Sequence, residues 1–378
     1  MDFALTEEHL MIRDSAREFA DRILRPHAAR LDAEESFPVD AIKEAADNGF
    51  LGLTVPEQYG GAGLGNLHAS LLLEEINAVD ASVGVTLSVH MSLICSMLAK
   101  HGSEEQKEKY LPRLATGEML GAYCLTEPQA GSDAAAVATK AIKVDGGYQL
   151  KGTKSWITTG DHAGLFVVYA LTDSDAVKGK GISCFLVEAA YEGVVVGKKE
   201  EKMGLRASST TELILNDVFV PEENLVGELD RGFTIALDTL DGGRIGIASQ
   251  SVGIHRACFE ASKKYSEERE QFGKPINRFQ AIAFKLADMA TELNAARLLV
   301  HHAAWLRDNN MPCTKECSMA KLYASQACNK AAQDAVQIHG GAGYTKEFDV
   351  ERYYRDARIT EIYEGVSDVQ RIVISRNF

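Results

Sequence analysis

Apolar positions fall into three textures along the chain. From Thr6 onward Ile12, Ala16, Phe19, Ala20 and Ile23 recur at i, i+4, i+7, i+8 and i+11, the stripe of a helix packed on one side, and Pro26 ends or bends it. The same periodicity predicts helices over 39–48, 68–77, 83–101 and 104–116, separated by Gly-rich connectors such as Gly60-Gly61-Ala62-Gly63. Between about 123 and 226 the pattern shortens to β-rich runs at 139–144, 148–151, 166–170, 182–187, 194–199 and 212–220, with Asp145-Gly146-Gly147 as a turn. That spacing suits a compact antiparallel barrel or sandwich. From Gly232 the helical period returns in long segments, 232–268, 277–310 and 313–339, whose lengths favour an antiparallel bundle. The expected class is α+β in three blocks: a helical domain over 1–122, a central β domain over 123–231 and a helical bundle over 232–378.

Composition narrows the function. With 378 residues, 46% hydrophobic and 25% charged, the chain can bury a large core. Its net charge of -14 argues against nucleic-acid binding or adsorption to anionic lipid, so a polyanionic ligand must be held by local basic groups. The seven cysteines lack paired CxxC spacing and read as reduced thiols; Cys313 and Cys317 lie four apart but no second pair of ligands accompanies them, so no metal is expected. The start Met1-Asp2-Phe3-Ala4 runs into an amphipathic segment without a signal peptide, and no uninterrupted apolar run is long enough to cross a bilayer. The expectation is a cytoplasmic protein with no membrane insertion.

Six short segments carry candidate chemistry. Tyr123-Cys124-Leu125-Thr126-Glu127-Pro128-Gln129-Ala130-Gly131-Ser132-Asp133 is either an ordinary capping loop or a rigid loop whose hydroxyls and backbone N–H groups hold a phosphate or a ring edge. In Lys154-Ser155-Trp156-Ile157-Thr158-Thr159-Gly160, strand alternation puts Trp156 and Thr158 on one face, as a core Trp or as a ligand wall. Leu240-Asp241-Gly242-Gly243-Arg244 lets a ligand approach a helix backbone, with Asp241 and Arg244 on one face. Arg269, in Arg269-Glu270-Gln271-Phe272-Gly273, with Phe279-Gln280 beyond, is a solvated surface cation or a phosphate clamp. Gln337-Ile338-His339-Gly340-Gly341 reads as a helix stop, whereas Glu364, between Tyr363 and Gly365, suits general-base work if its pocket is poorly hydrated.

In order and separation, these segments together resemble the acyl-CoA dehydrogenase family, short-chain branch, along essentially the whole chain. The resemblance implies an α-helical domain, a central β domain and a C-terminal four-helix domain, with FAD held non-covalently in a homotetramer. By motif, Leu125 and Thr126, within a Tyr123-to-Ser132 stretch, would line the flavin, with Ser132 close to both FAD and the CoA chain. Trp156 and Thr158 would flank the ring system; Arg269, Phe272 and Gln280 would reach the adenylate side in a neighbouring subunit, completed by Gln337, Gly340 and Gly341. Asp241, Arg244, Tyr363 and Gly365 would contact the acyl-CoA. Glu364 matches the base, since Gly243 occupies the position from which the isovaleryl and long-chain branches supply theirs. Two positions depart from the family: Val366 replaces the usual Thr and leaves only its backbone for FAD, and Asp368 keeps an acceptor on a shorter arm.

The implied reaction removes the α-proton of the thioester with Glu364 and transfers the β-hydride to the flavin, giving a 2-enoyl-CoA and passing electrons to an electron-transferring flavoprotein. No Arg lies between Ala81 and Lys100, which disfavours a dicarboxylic substrate; Ser88, Val89, His90, Met91 and Ser92 are expected near a short, branched or alicyclic acyl group. An acyl-CoA oxidase and a non-catalytic flavin-binding relative are the rival readings.

Overall fold

The computed structural model describes residues 4–378; Met1, Asp2 and Phe3 lie outside them. The first helix, Glu7–Phe19, continues through a π-turn at Ala20–Leu24 and buries Ala16, Phe19 and Ala20, the stripe legible in the sequence. Helices follow at Val39–Asp47, Asn66–Asn77 and Glu104–Ala115. Between the last two, Ala81–Ser88, a π-turn at Val89–Cys95 and Ser96–His101 form one continuous helix. By length and composition it could cross a membrane, a property the sequence pattern does not suggest, but 89% of its most apolar window is buried inside the protein, where it forms core.

The β layer is one sheet in the order Val194–Lys199, Thr210–Pro221, Gly147–Thr158, Lys140–Val144, Ala163–Leu171, Ile182–Glu188 and Leu225–Val226. An eighth strand, Leu120–Cys124, runs parallel to Ala163–Leu171, and Lys140 pairs with Leu171 in parallel as well. The expected all-antiparallel layer is therefore a mixed sheet. The physical reason is the 125–139 crossover, long enough to bring the chain back alongside its own direction. Along Ala163–Leu171, Phe166, Val168 and Ala170 fill one side with Phe185, Val187 and Leu215, whereas Leu165, Val167 and Tyr169 face the helices. Burial on both faces explains its unbroken apolar run.

Gly232–Glu268, Gln280–Asp308 and Thr314–His339 are the long C-terminal helices. The remaining place in the bundle is shared by two short helices, Val350–Ile359 and Ser367–Ser375, rather than filled by one long one. Asn66–Asn77 packs on the same bundle and is fastened there by Asp308, which accepts from the backbone N–H groups of Asn66 (2.6 Å) and Leu67 (2.9 Å) at that helix's N-terminus.

Candidate active site

Where the sheet meets the bundle, Glu364 sits in a left-handed conformation, φ +53°, followed by Gly365 at φ +90°. A non-glycine residue there is strained and persists only where its surroundings over-determine it. The turn lays the Glu364 carboxylate on the backbone of Gly232–Glu268: a Cβ added to Gly243 would stand 2.5 Å from Oε2 and 2.9 Å from Leu93 Cδ2. Oε2 is buried without a hydrogen-bond partner among the described residues. Burial pushes the Glu364 carboxyl up to about 7, opposed by the nearby cations of Arg244 and Lys321. A carboxylate so placed is a proton acceptor poised near neutrality.

Beside it lies a small cavity, lined among others by Leu73, Met91, Ile245, Gly242, Ser88 and Ser92. None of its lining residues is charged. Four of its five serines are spent on backbone: Ser70 donates to Leu67 O (2.8 Å), Ser92 to Ser88 O (2.7 Å), Ser96 to Met91 O (2.9 Å) and Ser249 to Ile245 O (2.8 Å). The space is thus apolar despite a polar-looking sequence. Val89 and His90, expected near the acyl group, do not line it; the π-turn sends the His90 ring away, to Leu114 O at 3.0 Å. Thr54, Asn66, Ala69 and Leu73 line it although no motif in the sequence singles them out.

Asp241 and Arg244 do share a face, as a buried pair at 2.7 Å, with Thr314 Oγ1 donating to Asp241 at 2.6 Å. Arg244 Nε remains buried and unpartnered. The Tyr363 hydroxyl donates to Gln250 Oε1 and its ring packs against the core. Asp368 is exposed and paired with Arg371 at 2.7 Å, and Val366 is the half-buried residue preceding Ser367–Ser375.

On the sheet side, a buried ion pair that the sequence does not reveal pins two motifs together. Lys154 Nζ reaches Glu127 Oε1 (2.7 Å), Tyr169 O (2.6 Å) and Leu125 O (3.3 Å), while Glu127 also accepts from the N–H groups of Ala138 (2.6 Å) and Thr139 (2.9 Å). Ser155 N donates to Thr126 O (2.9 Å), knitting Leu125–Thr126 to the strand that bears Trp156. A β-bulge after Lys154 puts Trp156 at φ +61°, so the indole projects outward, 61% exposed, with Thr158 half-buried and Ile157 inside. Tyr123 completes this wall; its hydroxyl is buried without a partner and lies within electrostatic reach of Glu364. Ser132 lies in the exposed turn beyond.

The remaining predicted residues form a separate, open rim. Arg269, Gln280, Gln337, Gly340 and Gly341 are exposed, and Phe272 is 93% exposed at φ +53°. A bare aromatic beside Arg269, which has no ion-pair partner among the described residues, makes this an exposed mixed apolar and cationic surface.

The outward indole, the half-buried threonine and the three unpartnered polar atoms, of Tyr123, Arg244 and Glu364, fit a planar cofactor with a polar edge meeting an acyl substrate above a carboxylate base. This defines a flavin-dependent dehydrogenase site. Comparison with known proteins makes it specific. Residues 6–118 match the acyl-CoA dehydrogenase N-terminal domain, 122–218 the middle domain and 230–378 the C-terminal domain. The chain is 46% identical over 376 residues to the short-chain specific acyl-CoA dehydrogenase of Clostridium acetobutylicum, covering 99% of each. It superposes on butyryl-CoA dehydrogenase from Megasphaera elsdenii with a TM-score of 0.98 at 42% identity, covering 100% of this chain and 99% of that one. A structure from work on the electron transferring flavoprotein of Acidaminococcus fermentans matches with a TM-score of 0.98 at 47% identity over 100% of this chain and 99% of the other. The chain belongs to the acyl-CoA dehydrogenase family, whose members are FAD enzymes.

Proposed function

We propose that this acyl-CoA dehydrogenase oxidises a short-chain acyl-CoA to the 2-enoyl-CoA with Glu364 as the base. The observation that carries the reading is the Glu364 carboxylate, lying on Gly243 beside a small, uncharged and mostly apolar cavity. FAD, when bound, supplies the acceptor for the β-hydrogen and its two electrons. The chain does the rest. Glu364 takes the α-proton onto Oε2, the oxygen left without a partner; Arg244 and Lys321 keep that carboxylate ionisable despite burial. The apolar cavity excludes water and holds the acyl chain, and the Glu364 N–H is a candidate donor to the thioester oxygen.

Trp156, Thr158, Leu125, Thr126, Tyr123, Ser132, Val366 and Asp368 are assigned to the cofactor's ring side. Arg269, Phe272, Gln280, Gln337, Gly340 and Gly341 are assigned to its adenylate side, completed across an interface in a homotetramer. Asp241, Arg244, Ser132, Tyr363 and Gly365 are assigned to the acyl-CoA. The three-block division, electron-transferring flavoprotein as acceptor, a place in fatty acid oxidation and a cytoplasmic setting complete the proposal. The short-chain and electron-transfer parts draw on the Clostridium, Megasphaera and Acidaminococcus relatives.

The test is anaerobic titration of the FAD-loaded protein with butyryl-, octanoyl- and glutaryl-CoA. Bleaching by butyryl-CoA first, absent in Glu364→Gln, is expected. Preference for the octanoyl or dicarboxylic thioester would overturn the substrate assignment.

A further inference from the structure

The strained turn that carries Glu364 is held from behind by two side chains that nothing in the sequence marks. Consecutive positive φ values at Glu364 and Gly365 turn both carbonyls inward, where Gln370 Nε2 donates to Glu364 O (3.0 Å) and to Gly365 O (2.8 Å). Gly365 O also accepts from Lys321 Nζ at 2.8 Å. Lys321 comes from the middle of Thr314–His339 and is completely buried, at 0% exposure. Among the described residues no carboxylate lies within ion-pair distance of it. A buried ammonium whose contact is a neutral carbonyl is costly, and burial brings Lys321 down to about 8, with Glu364 and Glu361 working the other way. Asn329, two turns further along the same helix, donates to Ala357 O (2.9 Å) and Thr360 Oγ1 (3.3 Å), so one helix edge fixes the whole segment leading to Glu364.

We propose that Lys321 is a positioning residue for the reaction: its ammonium anchors the Gly365 carbonyl, which fixes the turn that aims Glu364, and supplies part of the positive charge that keeps that carboxylate ionised. The inference rests on the reading of Glu364 as the base. The groups facing Glu364 are Arg244, paired with Asp241, from Gly232–Glu268, Lys321 from Thr314–His339, and Tyr123 with Tyr169 from the sheet, alongside neighbouring Tyr363. Lys321 and Arg244 are the cations that act on Glu364, and Lys321 alone of the two also touches the turn. Removing it therefore moves both the rate and the proton affinity. Removing Gln370, a neutral donor to the same carbonyls, moves the rate alone.

The experiment compares Lys321→Met, which keeps the length and apolar bulk, with Gln370→Met in the FAD-loaded enzyme. Lys321→Gln, which keeps a shorter neutral donor, replaces Lys321→Met should that variant fail to fold. Flavin reduction by butyryl-CoA is expected to slow roughly 30–100-fold in Lys321→Met with KM changed less than about threefold, the signature of a misaimed group rather than a lost binding contact. Its acidic pH limb should move upward by about one unit, while that of Gln370→Met stays in place. An independent readout is the infrared band of the protonated Glu364 carboxyl, identified by its loss in Glu364→Gln, which should persist to higher pH in Lys321→Met. A lowered melting temperature with rate, pH limb and infrared titration all unmoved would make Lys321 a purely structural residue and overturn the proposal. A wild-type enzyme inert toward acyl-CoA, whose Glu364 band nonetheless shifts in Lys321→Met, would instead sink the functional reading and leave the electrostatic link standing.

Discussion

The two ends of the site are built in opposite ways. Around Glu364 the framework is fixed within one chain, with Gly243 beneath, Lys321 and Gln370 behind, Arg244 locked to Asp241 and Tyr363 tied to Gln250, and the unpartnered atoms of Glu364, Arg244 and Tyr123 are held buried inside it. Around Arg269, Phe272, Gln280, Gln337, Gly340 and Gly341 the side chains are exposed, and Arg269 has no ion-pair partner among the described residues. The first region can position a proton acceptor to a fraction of an ångström. The second presents a surface whose order must come from what binds to it. Precision has been placed where bonds are broken, and adaptability where a cofactor tail and another subunit are proposed to meet.

The sharpest way to break the comparison is at Glu364. Glu364→Gln keeps the shape and removes the base, so flavin reduction in stopped flow should fall by about 10³–10⁴-fold with FAD still bound. A residual rate within tenfold of wild type would transfer the role elsewhere. Next in size is the sheet wall: Lys154→Met leaves Glu127 buried without its cation and should destabilise the fold by about 3–5 kcal/mol, measured by chemical denaturation. Gly243→Ala intrudes on the carboxylate without touching its chemistry, and a rate loss of about 10²-fold with normal FAD content is expected.

The pH dependence follows from the carboxyl pushed up to about 7. The ionised form is the reactive one, so kcat/KM should drop about tenfold per pH unit below that value and level off above it. The sign reverses for stability. Because the folded state raises this proton affinity above the ordinary carboxyl value of 4.5, the protonated group favours folding, and its contribution fades as pH climbs from 4.5 through about 7. The smallest effect belongs to the rim: Arg269→Ala should weaken FAD retention by roughly tenfold, read by ultrafiltration, with the rate of the loaded enzyme nearly unchanged. A rim variant that slowed the chemistry as much as Gly243→Ala would erase the distinction between the two ends.

Much of the fold and the proposed base are legible in the sequence. The helical period returning at Gly232 predicts a long segment over 232–268, and the observed helix spans Gly232–Glu268. The proposed base is legible because Glu364-Gly365 and Gly243 carry meaning as a pair. What escapes is contact across distance. Lys154 and Glu127 meet although 27 residues separate them, and a lysine amid Ser, Ala and Leu in a helix gives no hint that Lys321 is buried against a carbonyl 44 residues away. The cavity serines look like polar lining because a sequence does not say that the hydroxyls of Ser70, Ser92, Ser96 and Ser249 turn back onto their own helices. His90 departs from its expected place because a π-turn adds a residue to the register and swings the ring to the other side.

The close seating of Glu364 on Gly243 also bears on how such a site can evolve. A side chain at either position occupies space the other needs, so the two behave as one tenancy rather than two independent loci. A lineage that enlarges position 243 while keeping Glu364 passes through a crowded, poorly active intermediate. One that first trims position 364 loses the proposed base altogether. Relocating the proton acceptor is therefore a valley to be crossed in a paired exchange, and lineages are expected to fall into two camps with few sequences between them.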